Sequence, residues 1–354
     1  MPKAIEKKVL FATVLFFCVS MVCMITFSLG RIQPAGQEEM AESDAPVMNK
    51  SGDGGKDNCQ IPYTEGMEAS KCLIVPLSEG VTTNGVQITN DYRNRQLSIQ
   101  IVGMHVSYLA EHGIMGSLDG IEDYWCEETG EGLCLNLQTD TVCEGTIRYR
   151  NNNLYLELLK PKEVYDKIVV LDAGHGGTDM GIRGMELTEK ELVLDIMLRL
   201  KENLEAEGIR VYCTREEDEV VSDEERASLM RETGADFFVS LHMASDTKDT
   251  ELYGIRSFYN GTFFIPGFGS GDLAYTMEEA LAGIPEVKGL GVFAGESEYE
   301  LLEEANVPAT LIELGYMSNQ KEMSRWSNET YKQKLAEAMC DGILSAYEQK
   351  EEIR

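Results

Sequence analysis

Four acidic or metal-type side chains stand where their chemistry can be used: His175 in DAGHGG, Glu189 in ELTEKE, His242 in SLHMAS and Glu313 in LIELGY. Two imidazoles and one carboxylate form a ligand set for a catalytic zinc that keeps one position open for water, and a further glutamate could move the protons. His175 follows an apolar strand and has glycine on both sides, which lets the backbone bend tightly and approach an ion. GHGG has neither the GxGxxG spacing nor the lysine of a phosphate cradle. Taken alone, His175 reads more readily as a solvated loop residue beside a turn.

Glu189 opens a long helix. Thr188 at the N-cap and Glu191 at N3 form a capping box, so Glu189 is not needed for capping and can point at the strand ends. The alternative is an ordinary first-turn acid set against the helix dipole. His242 closes the apolar strand DFFVSL and by itself reads as a satisfied core residue; a second histidine at an equivalent strand end favours a ligand. Glu313 interrupts ATLIELGY, a strand patterned for burial on both faces, where an unpaired carboxylate costs several kcal/mol. Burial would also raise its pKa toward that of a general base.

The elements that must position these residues begin at Val164. KIVVLDAGH is a strand running into a glycine turn, and Thr188 to Glu207 is a helix with the apolar stripe Leu192, Val193, Ile196, Met197, Leu200 and Leu204. IRVYCT, DFFVSLH, GIRSFY and ATLIELGY read as strands, with helices from Asp223 to Glu232, Asp272 to Ala282 and Glu329 to Glu348. Such alternation predicts an α/β fold, an open and largely parallel sheet with helices on both faces. Its site should lie beyond the carboxyl ends of the strands, where His175, His242 and Glu313 fall.

Upstream, residues 59–163 carry short alternating runs such as VQIT and QLSIQI, and TIRYR and LYLEL flank Asn151–Asn153 as a hairpin. This segment reads as a small β-rich domain, a binding module or a folded spacer. Residues 30–58 are polar, acidic and rich in Gly, Pro and Asp, the composition of a flexible stalk. Before them, Lys3, Lys7 and Lys8 in segment 1–8 precede an uncharged apolar run over 9–29. As a helix that run is about 31 Å long at ~1.5 Å per residue, matching a ~30 Å hydrocarbon core. Its length and its poor small-residue cleavage site favour a transmembrane signal-anchor over a cleaved signal peptide. Lysines before the span leave the rest of the chain outside the cytoplasm, as a single-pass membrane protein.

The 354-residue chain carries 61 acids against 31 bases, a net charge of −30, so a nucleic-acid partner is not expected. An anionic wall polymer would also be repelled, leaving the anchor to keep the protein near such a substrate. Cys59, Cys72, Cys126, Cys134 and Cys143 cluster after the stalk and could form disulfides outside the cell. No Cys/His spacing suggests a structural zinc.

GHGGTDMG, the Glu189–Lys190 pair, TREED, SLHMAS and PATLIELGYMSNQKE occur in the order seen in zinc-dependent N-acetylmuramoyl-L-alanine amidases, which the chain resembles over about 167–347. The resemblance implies one zinc held by His175, Glu189 and His242, with Glu313 catalytic. It implies a peptidoglycan substrate, cleaved at the amide joining the lactyl group of N-acetylmuramic acid to L-alanine. Asp172, Arg215 and Asn319 are further candidates, to support a ligand histidine or touch substrate. The chain departs from the family pattern at Ala244, where an asparagine is usual, in KGLG at 288–291, and at Glu303, where an arginine is usual. A wall-peptide carboxypeptidase and a non-catalytic wall-binding or regulatory protein are the rival readings. A regulatory protein partner leaves no signature in the sequence.

Overall fold

Period-two burial builds the upstream module. In β3 (Gln96–Val102), Leu97, Ile99 and Ile101 are buried while Ser98 and Gln100 are not, and β2 (Val86–Asp91) buries Val86 and Ile88 against it. β2 and β3 join β5 (Ile121–Glu128) and β6 (Gly132–Thr139) in an antiparallel sheet ordered β2-β3-β6-β5. A second antiparallel sheet, ordered β4-β1-β8-β7, contains β1 (Leu73–Pro76), β4 (Met115–Gly116), β7 (Glu144–Arg150) and β8 (Asn153–Leu159). Asn151 and Asn152 make the expected hairpin turn between β7 and β8 at φ 49° and 59°, a left-handed backbone that asparagine tolerates. Leu97, Ile99 and Leu135 from one sheet share a core with Val75, Leu154 and Leu156 from the other, so the module is a β-sandwich. Cys72, Cys126, Cys134 and Cys143 are free thiols, and the expectation of disulfides finds no support among the described residues. The apolar core holds this module.

This computed structural model describes residues 71–353, except 185, 263 and 296–299. The expected anchor over 9–29, the stalk over 30–58 and Cys59 lie outside the described residues. Among those described, no helix is long and apolar enough to cross a membrane.

From Ile168 onward the pattern switches to strand and helix. The sheet has six main strands, β9 (Ile168–Ala173), β12 (Arg210–Cys213), β13 (Phe237–Ala244), β14 (Ile255–Tyr259), β15 (Gly289–Ala294) and β16 (Ala309–Tyr316), ordered β12-β9-β13-β16-β14-β15. A two-residue ribbon, β10 (Arg183–Gly184) with β11 (Leu187–Thr188), precedes the first long helix. Helices Glu189–Ala206 and Ser270–Ala282 provide crossovers between parallel neighbours, and helix Asp223–Thr233 carries the chain from β12 past β9 to the parallel β13. The segment 245–254 contains no helix, and β14 accordingly returns antiparallel to β16. The sheet is therefore mixed, with one antiparallel pairing among five.

Both faces are covered. Val169, Leu171, Val239, Leu241 and Ile312 pack with helices 189–206, 270–282 and Glu329–Ile353. Ile168, Val170, Phe238 and Leu311 pack with helices 223–233 and Glu300–Glu303. This second face turns polar at the carboxyl ends of the strands, where Asp172, His242 and Glu313 lie in sequence register with its apolar residues. β15 was not expected from its sequence: GLGVFA is short and glycine-rich, and it forms at the sheet edge by pairing with β14.

Candidate metal centre

His175 leaves β9 through Gly174 and stands at φ 62°, a left-handed conformation that costs a non-glycine residue energy. Cations hold the turn there by its carbonyls. Arg215 donates to Ala173 O (2.9 Å) and Gly174 O (3.0 Å), and Arg226 donates to His175 O (2.8 Å). Lys190 Nζ donates to Gly177 O (2.8 Å) and to Asp218 (2.6 Å), whose other oxygen accepts the Gly177 amide (2.8 Å). Glycine at 174 is obligatory, because a Cβ there would overlap the His242 ring.

Three donor groups converge beside this turn. Ligand atoms of His175, Glu189 and His242 all lie within 4.8 Å of one another. His175 Nε2 is 3.1 Å from Glu189 Oε2, and His242 Nδ1 is 3.1 Å from Glu189 Oε1. The Glu189 carboxylate is fixed by two backbone donors, Met243 N (2.8 Å to Oε1) and Ile182 N (2.8 Å to Oε2). A Cβ at Gly181 would stand 2.5 Å from Glu189 Oε2, so this wall must also be glycine. The far nitrogen of His175, Nδ1, bonds Asp179 Oδ2 at 2.7 Å, which orients the ring and leaves Nε2 for the centre. Such a set, two imidazoles and a carboxylate, suits a divalent transition metal.

Electrostatics within the cluster are strong. Burial disfavours the charged form of His175, but Glu189 and Asp179 outweigh it and raise its pKa to about 9. Burial likewise opposes ionisation of Glu189, yet hydrogen bonds and charge from His175 and His242 hold it far below the ordinary carboxylate range. Metal binding at such a centre competes directly with protons.

Glu313 occupies the neighbouring strand, paired in register with His242 across β13 and β16. On its other side it pairs with Arg256 of β14, whose Nε and Nη2 contact Oε2 at 2.6 and 2.5 Å. The Glu313 carboxylate is thus ion-paired, where its sequence context suggested an unpaired one. Burial pushes its pKa up, and Arg256 recovers part of that shift. A cleft of about 510 Å³ opens over the group, lined by His175, Glu189, His242 and Glu313 with Val220, Leu301 and others.

The remaining candidates have other duties. Asp172 bonds neither imidazole: it pairs with Arg226 and accepts from Thr214 (2.7 Å) and Ser240 (2.5 Å) within the sheet. His175 draws its partner from Asp179 instead. Arg215 is fully buried and bonded to backbone carbonyls, so it shapes the turn and cannot reach substrate. Asn319 caps helix Gln320–Trp326 through Lys321 N and Glu322 N. Ala244 is buried opposite Tyr316, and Glu303 is exposed. Sequence reasoning missed Asp179 and Arg256. A carboxylate four residues after a candidate ligand histidine was a usable signal for the first. The second needed the antiparallel register of β14.

A family model described as N-acetylmuramoyl-L-alanine amidase matches residues 169–345. An uncharacterised Bacillus subtilis protein, YqiI, is 33% identical over 186 residues, covering 52% of this chain and 86% of its own length. The germination-specific N-acetylmuramoyl-L-alanine amidase of Bacillus subtilis is 26% identical over 202 residues, 52% of this chain and 81% of its own. Among solved structures, an N-acetylmuramoyl-L-alanine amidase from Clostridium difficile 630 is 31% identical with a TM-score of 0.49, covering 51% of this chain and 97% of its own.

Proposed function

The chain belongs to the N-acetylmuramoyl-L-alanine amidase family of peptidoglycan hydrolases, and on that premise we propose that it cleaves the lactyl–L-alanine amide with zinc held by His175, Glu189 and His242. The observation that carries the reading is the convergence of these three donors within 4.8 Å beside Glu313. Two donors ~2.0–2.1 Å from one zinc at tetrahedral angles stand roughly 3.3 Å apart. The 3.1 Å separations of Glu189 from each imidazole fit that spacing.

Zinc, when bound, polarises the amide carbonyl and lowers the pKa of water toward ~7. The protein's residues do the rest. Asp179 holds the Nδ1 side of His175, and the amides of Met243 and Ile182 hold Glu189. Glu313 takes the proton from the attacking water and delivers it to the departing amine nitrogen. Arg256 occupies Oε2, which leaves Oε1 of Glu313 for the proton. Anchoring by segment 9–29 and an extracytoplasmic location belong to the same proposal; their support is the lysine-flanked apolar run in the sequence.

The test is digestion of purified sacculi by the protein, with and without a chelator, followed by mass analysis. Peptides with a newly free L-alanine amino group, lost on chelation and restored by zinc, are expected. Release of single terminal amino acids would transfer the reading to a carboxypeptidase, and intact sacculi would end the catalytic one.

A further inference from the structure

Among the described residues β12 is the edge of the six-stranded sheet, and no described strand pairs with its outer side. The turn between β2 and β3 of the sandwich covers that edge. Tyr92, 2% exposed, sets its hydroxyl at the end of β12, where it accepts the Cys213 amide (3.0 Å) and donates to Glu216 Oε1 (3.0 Å). Its ring stands edge-on to Tyr212, with centroids 5.0 Å apart. The next residue, Arg93, forms an ion pair with Glu219.

The contacts to Glu216 and Glu219 fall on segment 214–221, which Cys213 leads into and whose other side bears on the turn that carries His175. There Asp218 accepts the Gly177 amide and the Lys190 ammonium, and Arg215 donates to the carbonyls of Ala173 and Gly174. The Glu219 carbonyl lies so close to Gly176 that a Cβ at 176 would overlap it. Segment 214–221 has no helix or strand; Thr214 and Arg215 anchor its start and Lys201 shares Glu216, but Glu217, Asp218 and Val220 are exposed, so its second half depends on side-chain contacts from outside. It is a shared wall between the sandwich and the site.

The geometry points to Tyr92 and Arg93 as positioning residues: the sandwich fixes segment 214–221 and thereby the 173–177 turn that aims His175. This gives the module a role in the site's architecture, where its sequence left it as a binding module or a spacer. Any consequence for zinc rests on the functional reading above; the positioning does not.

Hydrogen–deuterium exchange of peptides spanning 173–181, in the metal-free full chain, tests it directly. Tyr92→Phe leaves the Cys213 amide without its acceptor, and Arg93→Ala removes the Glu219 contact; each should speed exchange of that turn roughly tenfold. Arg93→Lys, which keeps the charge, should restore protection. His105→Ala is the control: His105 pairs with Glu128 on the exposed surface of the sandwich, at the end of β3 away from Tyr92 and Arg93, and its loss should leave exchange at 173–181 unchanged. Zinc affinity, measured by competition with a chromogenic chelator, should fall in Tyr92→Phe and Arg93→Ala and hold in His105→Ala. Unchanged exchange in either Tyr92→Phe or Arg93→Ala, or an equal rise in His105→Ala, would overturn the inference. Because exchange is read without metal, that failure is distinct from a failure to bind zinc.

Discussion

Two carboxylates line one cleft, and their surroundings drive them in opposite directions. Glu189, 1% exposed, gathers two backbone amides and two imidazoles, and it is held ionised far below the usual carboxylate range. Glu313 has burial working against its charge and one guanidinium, on one oxygen, working for it, and its pKa rises. On the proposed roles, this contrast is what separates a ligand from a proton carrier. A carboxylate surrounded by donors stays an anion that a metal can use, while one short of donors keeps an affinity for protons that catalysis can use.

The sharpest break in that contrast is Glu189→Ala. It removes a ligand, so metal content measured by elemental analysis should collapse and turnover on sacculi should fall by more than roughly 10³-fold. A variant that still holds stoichiometric zinc would reduce Glu189 to a structural acid. Glu313→Gln comes next: kcat should fall on the order of 10³-fold, within the range for a lost general base, while zinc content stays at the wild-type level. Loss of zinc along with activity would erase the distinction between the two glutamates.

Arg256→Ala sharpens the comparison with a smaller effect. Arg256 lowers the Glu313 pKa, so its removal must raise that pKa further. Glu313 accepts a proton only when ionised, and activity is lost as pH falls through its pKa. The acid limb of kcat/KM should therefore move to higher pH, with a deficit of about tenfold on that limb for each pKa unit and little change on the alkaline side. A limb that stays put, or moves to lower pH, would show that Arg256 does not govern Glu313.

Much of the site was legible because strand chemistry betrays it. A histidine between glycines after KIVVLD, and another closing DFFVSL, can reach one point only if both strands lie parallel in one sheet, as β9 and β13 do. Glu189 was legible because the capping box at Thr188 and Glu191 made it redundant as a cap. The supports were harder to see. Asp172 looks like a histidine's partner from its place before GHGG, but Arg226, brought by helix 223–233 from fifty-four residues away, reaches it first. Arg256 sits in GIRSFY as an unremarkable strand residue, and its meaning came from an antiparallel pairing that no local pattern encodes. The sandwich was visible as alternating strands, yet β5 was not, since IEDYWCEE lacks a clean alternation and owes its register to β6. Contacts across tertiary distance, not local propensity, account for what was missed.

The central claim is that His175, Glu189 and His242 hold one zinc ion with Glu313 beside it. A crystal of the zinc-loaded protein, with diffraction recorded on both sides of the zinc absorption edge, tests this most directly. One anomalous peak about 2.0–2.2 Å from an imidazole nitrogen of each histidine and an oxygen of Glu189 is the expected result. A peak bound elsewhere, or none in protein loaded with equimolar zinc, would contradict the account.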